Sequence, residues 1–235
     1  MARKRLTRKE IVQKDEITSV LERSTTYVVE HGKPIAIAVG AVVVGITVVI
    51  VLNVTAANRE AAAQNALAEV IRIYSTVTED TTDESRFQAT LVEAARVQAD
   101  HPDQPAAQIA RYYAGLSHEG LGDSDQAIAI LTELVDSGDE MVNQVARVAL
   151  AESYKKQDNL DRAIEVYQEL ADSGGYSKSA VLYELGRLHE ATSMPDEARA
   201  YYQSVVGDYP NSPYREDADR ALRRLTLVES AEEPS

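Results

Sequence analysis

Residues 34–58 read PIAIAVGAVVVGITVVIVLNVTAAN, twenty-five consecutive positions without a charged side chain in a chain of 235. An α-helix rises about 1.5 Å per residue, so about 20 such residues cross a hydrocarbon core of about 30 Å. Residues 34–55 are therefore expected to form one transmembrane helix, and this divides the chain before any other feature acts. A cleaved signal peptide competes with that reading, but its apolar region should be about 7–15 residues long behind a short basic start. Here the run is longer and begins after residue 33. Thr55-Ala56-Ala57 makes a poor cleavage site, and a chain without cysteine has no lipoprotein anchor. A core helix of a soluble fold is disfavoured too, because no other segment is apolar enough to surround it.

Charge sets the orientation. Residues 1–33 hold eight Lys and Arg against five acids, a net of +3; the chain carries −14, which leaves −17 for residues 59–235. Lys and Arg close to a span stay on the cytoplasmic side, whereas acids count little. The N-terminus is thus expected in the cytoplasm and the bulk of the chain outside it, in a bacterial envelope. The absence of cysteine permits an oxidising compartment without requiring one. The acidity argues against nucleic acid or anionic lipid as partners. About 180 residues beyond the membrane suffice for one domain with a real core. Seven Pro and eleven Gly amid abundant Ala, Leu, Glu and Gln make that core helical.

The basic head opens on Thr7-Arg8-Lys9-Glu10, the form of a capping box. Apolar residues then recur at Ile17, Val20, Leu21 and Val28, interrupted on that face by Ser24. Gly32 and Pro34 read as a stop and a fresh start. An amphipathic helix is expected there, lying at the headgroups or docked on a membrane partner. Inside the span, Ala36/Gly40 and Ala41/Gly45 are small pairs four apart, which let helices approach closely in lipid and are candidate helix contacts.

From Gly45 to Pro102 there is neither Gly nor Pro. Ala63, Leu67, Val70, Tyr74 and Val77 make an apolar stripe at steps of four and three. The spanning helix is expected to continue outward to about Thr76. Its stripe either packs on the next helix, capped near Thr81 to Glu84 and carrying Phe87, Leu91, Ala94 and Ala95, or pairs two chains into a dimeric stalk.

Beyond residue 101 the chain repeats itself. YYAGLSHEGLGDSDQAIAILTEL, ALAESYKKQDNLDRAIEVYQEL and YELGRLHEATSMPDEARAYYQSV align. Each has a small residue on a first helix (Gly115, Ala151, Gly186) and a ring three later (His118, Tyr154, His189). Each then has a polar turn, an Ala on a second helix (Ala127, Ala163, Ala198) and a larger side chain four on (Leu131, Tyr167, Tyr202). The Ala positions are 36 and 35 residues apart. Turn chemistry falls between these helices, at Gly122-Asp123-Ser124, Asp158-Asn159 and Ser193-Met194-Pro195. It also falls between the pairs, at Gly138-Asp139, Gly174-Gly175-Tyr176-Ser177 and Tyr209-Pro210-Asn211-Ser212-Pro213. A last helix from Pro213 to about Val228, with Arg220, Arg223 and Arg224 exposed, should cap the array.

This pattern resembles the tetratricopeptide repeat, a helix-turn-helix unit of about 34 residues. The early Trp of that family is missing, and its terminal Pro survives at Pro210, with Pro102 a counterpart in a degenerate first pair. The resemblance implies an all-α solenoid that binds protein segments along a concave face lined by the first helices. By register, that face should include Tyr112, Leu116, Glu119, Val148, Glu152, Lys155, Tyr183, Arg187 and Glu190. Some relatives grip a C-terminal carboxylate with Lys, Arg and Asn. The corresponding places here hold Tyr112, Leu116, Ala149, Ala180 and Glu184, so that docking mode is not expected.

No nucleophile, base and orienter can be assembled from this sequence. His118 and His189 occupy repeat positions that packing explains, no His or Asp spacing suggests a metal site, and Gly174-Gly175-Tyr176-Ser177-Lys178-Ser179 lacks the spacing of a phosphate loop. The chain is expected to be neither an enzyme nor a cofactor binder.

TYVVEHGKPIAIAVGAVVVG, a Gly-Lys pair ending an amphipathic helix before a Gly/Ala/Val-rich span, resembles the ancillary subunit family of the Sec translocon. That resemblance implies an inner-membrane protein with a periplasmic solenoid, passing emerging polypeptides to periplasmic chaperones. The Tyr209-Pro210-Asn211-Ser212-Pro213-Tyr214 ending is also similar to tetratricopeptide proteins of outer-membrane assembly and cell-division coordination, which leaves a scaffold for an envelope complex as the alternative. The expected organisation is a cytoplasmic head (1–33), a span (34–55), a stalk and degenerate first pair (56–101), repeats with a capping helix (102–228) and a tail (229–235).

Overall fold

A computed structural model describes residues 44–77, 82–137, 139–174 and 176–232, with side chains as far as Leu227. The head helix and the contacts expected of Ala36, Gly40 and Ala41 fall outside these residues. The chain forms two compact units, Met1–Arg59 and Glu60–Ser235.

Helix α1 covers Val44–Ser75. In its first eleven residues, Val44, Ile46, Val48, Val49, Ile50, Val51, Leu52 and Val54 are all exposed, each by half or more of its surface. Such side chains on every face of a helix call for a cover other than water, as lipid or a protein surface provides. The Thr55 hydroxyl donates to the Leu52 carbonyl at 2.9 Å, which satisfies it within its own helix. The helix is therefore long and apolar enough to cross a membrane.

The second unit is an all-α solenoid of paired helices. After the last turns of α1 come α2 (Asp83–Asp100), α3 (Pro105–Gly120), α4 (Ser124–Ser137), α5 (Glu140–Lys156), α6 (Leu160–Ser173), α7 (Lys178–Ala191), α8 (Pro195–Asp208) and α9 (Arg215–Glu232). From α2 onward each helix packs on its successor in sequence, and α3 also meets α5. The starts are chemically marked. Thr82, Asp139 and Asn159 accept from backbone N–H groups three residues on, and Pro105 and Pro195 occupy first helical positions. α9 runs beyond the expected Val228 through Glu232, since no Gly or Pro intervenes before Pro234.

The apolar stripe of α1 is core. Ala63, Leu67 and Val70 are buried with Ala94 and Val97 of α2 and with Ala106, Ala110 and Ala114 of α3. Tyr74 closes the same region, 5.8 Å from the Phe87 ring and 5.1 Å from the Tyr113 ring. Burying Leu67 and Val70 contributes roughly 1.5–3 kcal/mol each. The fold consumes the stripe, so it offers no free seam for a dimeric stalk; Val77 alone of those five residues is exposed, past the helix end.

Close approach within the repeats works as the small residues require. Ala127, Ala163 and Ala198 are fully buried at their crossings, as is Ala151. A Cβ on Gly115 would stand 3.1 Å from the Leu131 side chain, and one on Gly186 only 2.6 Å from the Tyr202 ring. His189 is buried and stacks on Tyr201 at 5.2 Å, while His118 Nδ1 lies 3.1 Å from Asp123 Oδ2.

Candidate protein-binding surface

The first helices α3, α5 and α7 are joined by a row of ion pairs that continues onto α9. Lys156 Nζ sits 3.1 Å from Glu119 Oε1, linking α5 to α3, and the Ser124 hydroxyl donates to the same oxygen at 3.2 Å. Lys155 Nζ lies between Glu152, at 2.7 Å on its own helix, and Glu184 of α7, at 3.2 Å. Arg187 takes the other oxygen of Glu184 at 3.1 Å. Farther along, Arg224 of α9 donates to both oxygens of Glu190 at 2.8 Å. An exposed pair contributes about 0–1 kcal/mol. Lys155 and Glu184, each about a fifth exposed, sit where solvent screens less, so their network fixes the spacing of α5 and α7.

Two ring hydroxyls brace the row from beneath. Tyr167 donates to Glu152 Oε1 at 2.7 Å and Tyr202 donates to Glu190 Oε2 at 3.1 Å. Burial, and then the facing carboxylates, raise both phenols well above their ordinary range, which keeps each hydroxyl a donor. Burial opposes the charge on Glu152, but hydrogen bonds from Lys155 and Tyr167 and the nearby Lys155 and Arg187 charges outweigh it, so its carboxyl is held below the usual value. A depressed folded-state pKa contributes stability that is present above the unfolded pKa and lost as pH falls through the folded one. Urea unfolding should accordingly show stability falling below about pH 4, with a shallower fall in Glu152→Gln. Equal slopes in the two proteins would contradict the assignment.

The apolar candidates divide into two groups. Tyr112, Leu116 and Val148 are half-buried against the central core of α4–α7. Burial, followed by Tyr113 and Tyr74, pushes the Tyr112 hydroxyl up to about 12. Its ring meets that of Tyr113 edge-on at 5.7 Å, extending the aromatic run from Phe87 and Tyr74. Tyr183 lies at the other end, stacked on Tyr214 at 5.3 Å and 5.8 Å from Tyr202.

Tyr183, Arg187 and Glu190 are brought together. With Tyr202, Asp217, Arg220 and Arg224 they line a cleft of 590 Å³ between α7, α8 and α9. The repeat pattern assigns Tyr202 to packing and places Arg220 and Arg224 on an exposed capping surface. The sequence names Glu184 only as a residue that rules out carboxylate gripping, and gives no signal for Lys156. Gly45 has open space around it. Among the described residues no group of three or more His, Cys, Asp or Glu could hold a metal ion.

Among solved structures, the chain is similar to tetratricopeptide-like repeats of a kinesin light chain from Podosopora anserina. The TM-score is 0.56 at 15% identity, over 74% of this chain and 89% of that one. A single-substitution variant of that protein gives the same values. At this identity the likeness is one of fold. No curated protein sequence matches. Residues 26–226 match the tetratricopeptide repeat-like domain, most of the chain's length. The chain therefore belongs to the tetratricopeptide repeat-like domain family.

Proposed function

We propose that this protein is a membrane-tethered adaptor, with residues 34–55 spanning the bacterial inner membrane, residues 1–33 in the cytoplasm and the repeats and capping helix in the periplasm. The solenoid serves as a protein-binding scaffold, holding segments along α3, α5 and α7. Its partners would be the Sec translocon, met through the span, and emerging polypeptides or periplasmic chaperones, met through the solenoid. One observation carries the reading: a helix that is uncharged from Val44 to Asn58, with large apolar side chains on every face of that stretch, belongs to the same chain as a repeat array. Tethering raises the effective concentration of a weak site near its target, so modest affinity suffices. The +3 head and −17 remainder support the orientation, and the half-buried Tyr112 and Tyr183 with the exposed Arg187 have the composition of interface anchors.

The test is photocrosslinking in intact membranes from Gly40, Tyr112 and Tyr183, followed by mass spectrometry. Translocon subunits at Gly40 with varied secretory chains or chaperones at the tyrosines are expected. A single stoichiometric envelope protein at both tyrosines, with no translocon at Gly40, would replace the adaptor by a dedicated scaffold.

A further inference from the structure

We propose that the cleft between α7, α8 and α9 binds an internal acidic side chain of an extended polypeptide, with Arg187 and Arg220 receiving its carboxylate and Tyr183 an adjoining apolar residue. This rests on the reading of the solenoid as a protein-binding scaffold and names the chemistry of what it holds.

The cleft has the size and lining of a binding site. Its 590 Å³ lies within the range of about 300–1,000 Å³ common for ligand pockets. It combines Tyr and Arg, the side chains that dominate binding energy at protein interfaces. Tyr183 presents a ring steadied by its stack on Tyr214.

The sign of the ligand follows from how the charges are displayed. In each pair at the cleft the cation is the more exposed member: Arg187 is 55% exposed against 21% for Glu184, Arg224 58% against 28% for Glu190, and Arg220 63% against 42% for Asp217. Each carboxylate already holds a cation. Glu190 accepts from Tyr202 and Arg224 on its two oxygens, and Asp217 accepts from Arg220. A basic segment would have to compete with the arginine each carboxylate already pairs with. An acidic one would find guanidinium groups with donors to spare, since Arg carries five N–H in a planar fork. Arg187 spends Nη1 on Glu184 and Arg220 spends Nη2 on Asp217, both within their own helices. Such exposed pairs are weak and yield to a charge-assisted, bidentate contact with a carboxylate.

Long-range steering works against this ligand, because residues 59–235 carry −17. Screening removes most of that repulsion within about 8–10 Å at physiological salt. The arginines therefore select at contact which segment settles, rather than drawing acidic chains in. This site differs from carboxylate gripping by first-helix residues, because two of its three arginines come from the capping helix.

The experiment uses the full-length protein in lipid nanodiscs and fluorescence anisotropy with labelled, C-terminally amidated twelve-residue peptides. One carries Asp on each side of a Leu-Phe pair; its counterpart carries Asn. The Asp peptide should bind about tenfold tighter, the scale of one good charge-assisted hydrogen bond. R187Q/R220Q should erase the preference, and R96Q, an exposed arginine of α2 outside the cleft, should keep it. Both arginines pair within their own helices, so the double variant should unfold at the same temperature as the parent, which the same samples report. Equal binding of the two peptides, no binding of either, or a preference surviving R187Q/R220Q would overturn the assignment. Crosslinking from Tyr112 reads the general scaffold function independently of this cleft.

Discussion

Replacing Tyr202 by alanine should destabilise the solenoid by about 3–5 kcal/mol, the cost of truncating a large buried aromatic, and lower its melting temperature by roughly 10 °C. Tyr202 has no exposed surface, and it fills the C-terminal core with Ala198, Val205, Ala218, Ala221 and Leu225. Its hydroxyl also holds Glu190, the residue through which Arg224 ties α9 to α7. Tyr202→Phe isolates that last contribution, about 1 kcal/mol. The sharper test lies across the crossing. Alanine at Gly186 improves helix propensity by about 1 kcal/mol, but its Cβ would stand 2.6 Å from the Tyr202 ring. Overpacking of that kind costs about 1–3 kcal/mol, so Gly186→Ala should destabilise the parent. In the Tyr202→Ala background the obstacle is gone, and the same substitution should stabilise. Thermal unfolding of the four proteins reads the reversal; one sign in both backgrounds would mean that the ring does not sit on Gly186.

That pairing was half legible in the sequence. The Gly186 and Tyr202 positions follow from a repeat in which a small residue on one helix faces a large one on the next, and the helix turns fall where Gly, Pro, Asn and Asp cluster. Conformation without identity was not legible. Gly122, Asp158 and Ser193 all adopt positive φ, at 81°, 57° and 60°, at the 36- and 35-residue spacings of the repeat. Three different residues fill one backbone state, because a short polar side chain tolerates the left-handed region that glycine enters freely. Likewise Arg111–Glu133 and Arg147–Glu169 are the same interhelical ion pair 36 residues apart, invisible until the helices are set side by side.

The candidate surface was legible as register and illegible as chemistry. A repeat says which residues of α5 and α7 share a face, so Glu152, Lys155, Arg187 and Glu190 could be grouped. It cannot say that Lys155 reaches Glu184 across helices, nor that α9, which lies outside the repeat, brings Arg224 to Glu190. Pair geometry of that kind depends on how far successive helix pairs rotate, and spacing does not encode it. The consequence is functional: a surface read as separate anchors is a set of ion pairs that ties α3 to α5, α5 to α7 and α7 to α9, with a cleft at its α9 end whose outward members are arginines.

Two arginines placed in α1, Ile46→Arg with Ile50→Arg, should release the protein from membranes. At the middle of a spanning helix each arginine costs about 2.5–3.5 kcal/mol for insertion, less toward the ends, and long side chains recover part of this by snorkelling to the interface. Together they remove roughly 5 kcal/mol from insertion, enough to reverse a helix of moderate apolarity that also contains Thr47 and Asn53. The solenoid should be unaffected, because Ile46 and Ile50 are exposed and belong to the unit ending at Arg59. Carbonate extraction should leave the parent in the pellet and move the variant to the supernatant, with unchanged unfolding of its helical domain. Arginine is more informative than deletion here, because it keeps the helix and changes only its solvent. If the variant remained in the pellet, α1 would not be the anchor, and the outward valines and isoleucines would need a protein surface, rather than lipid, to cover them.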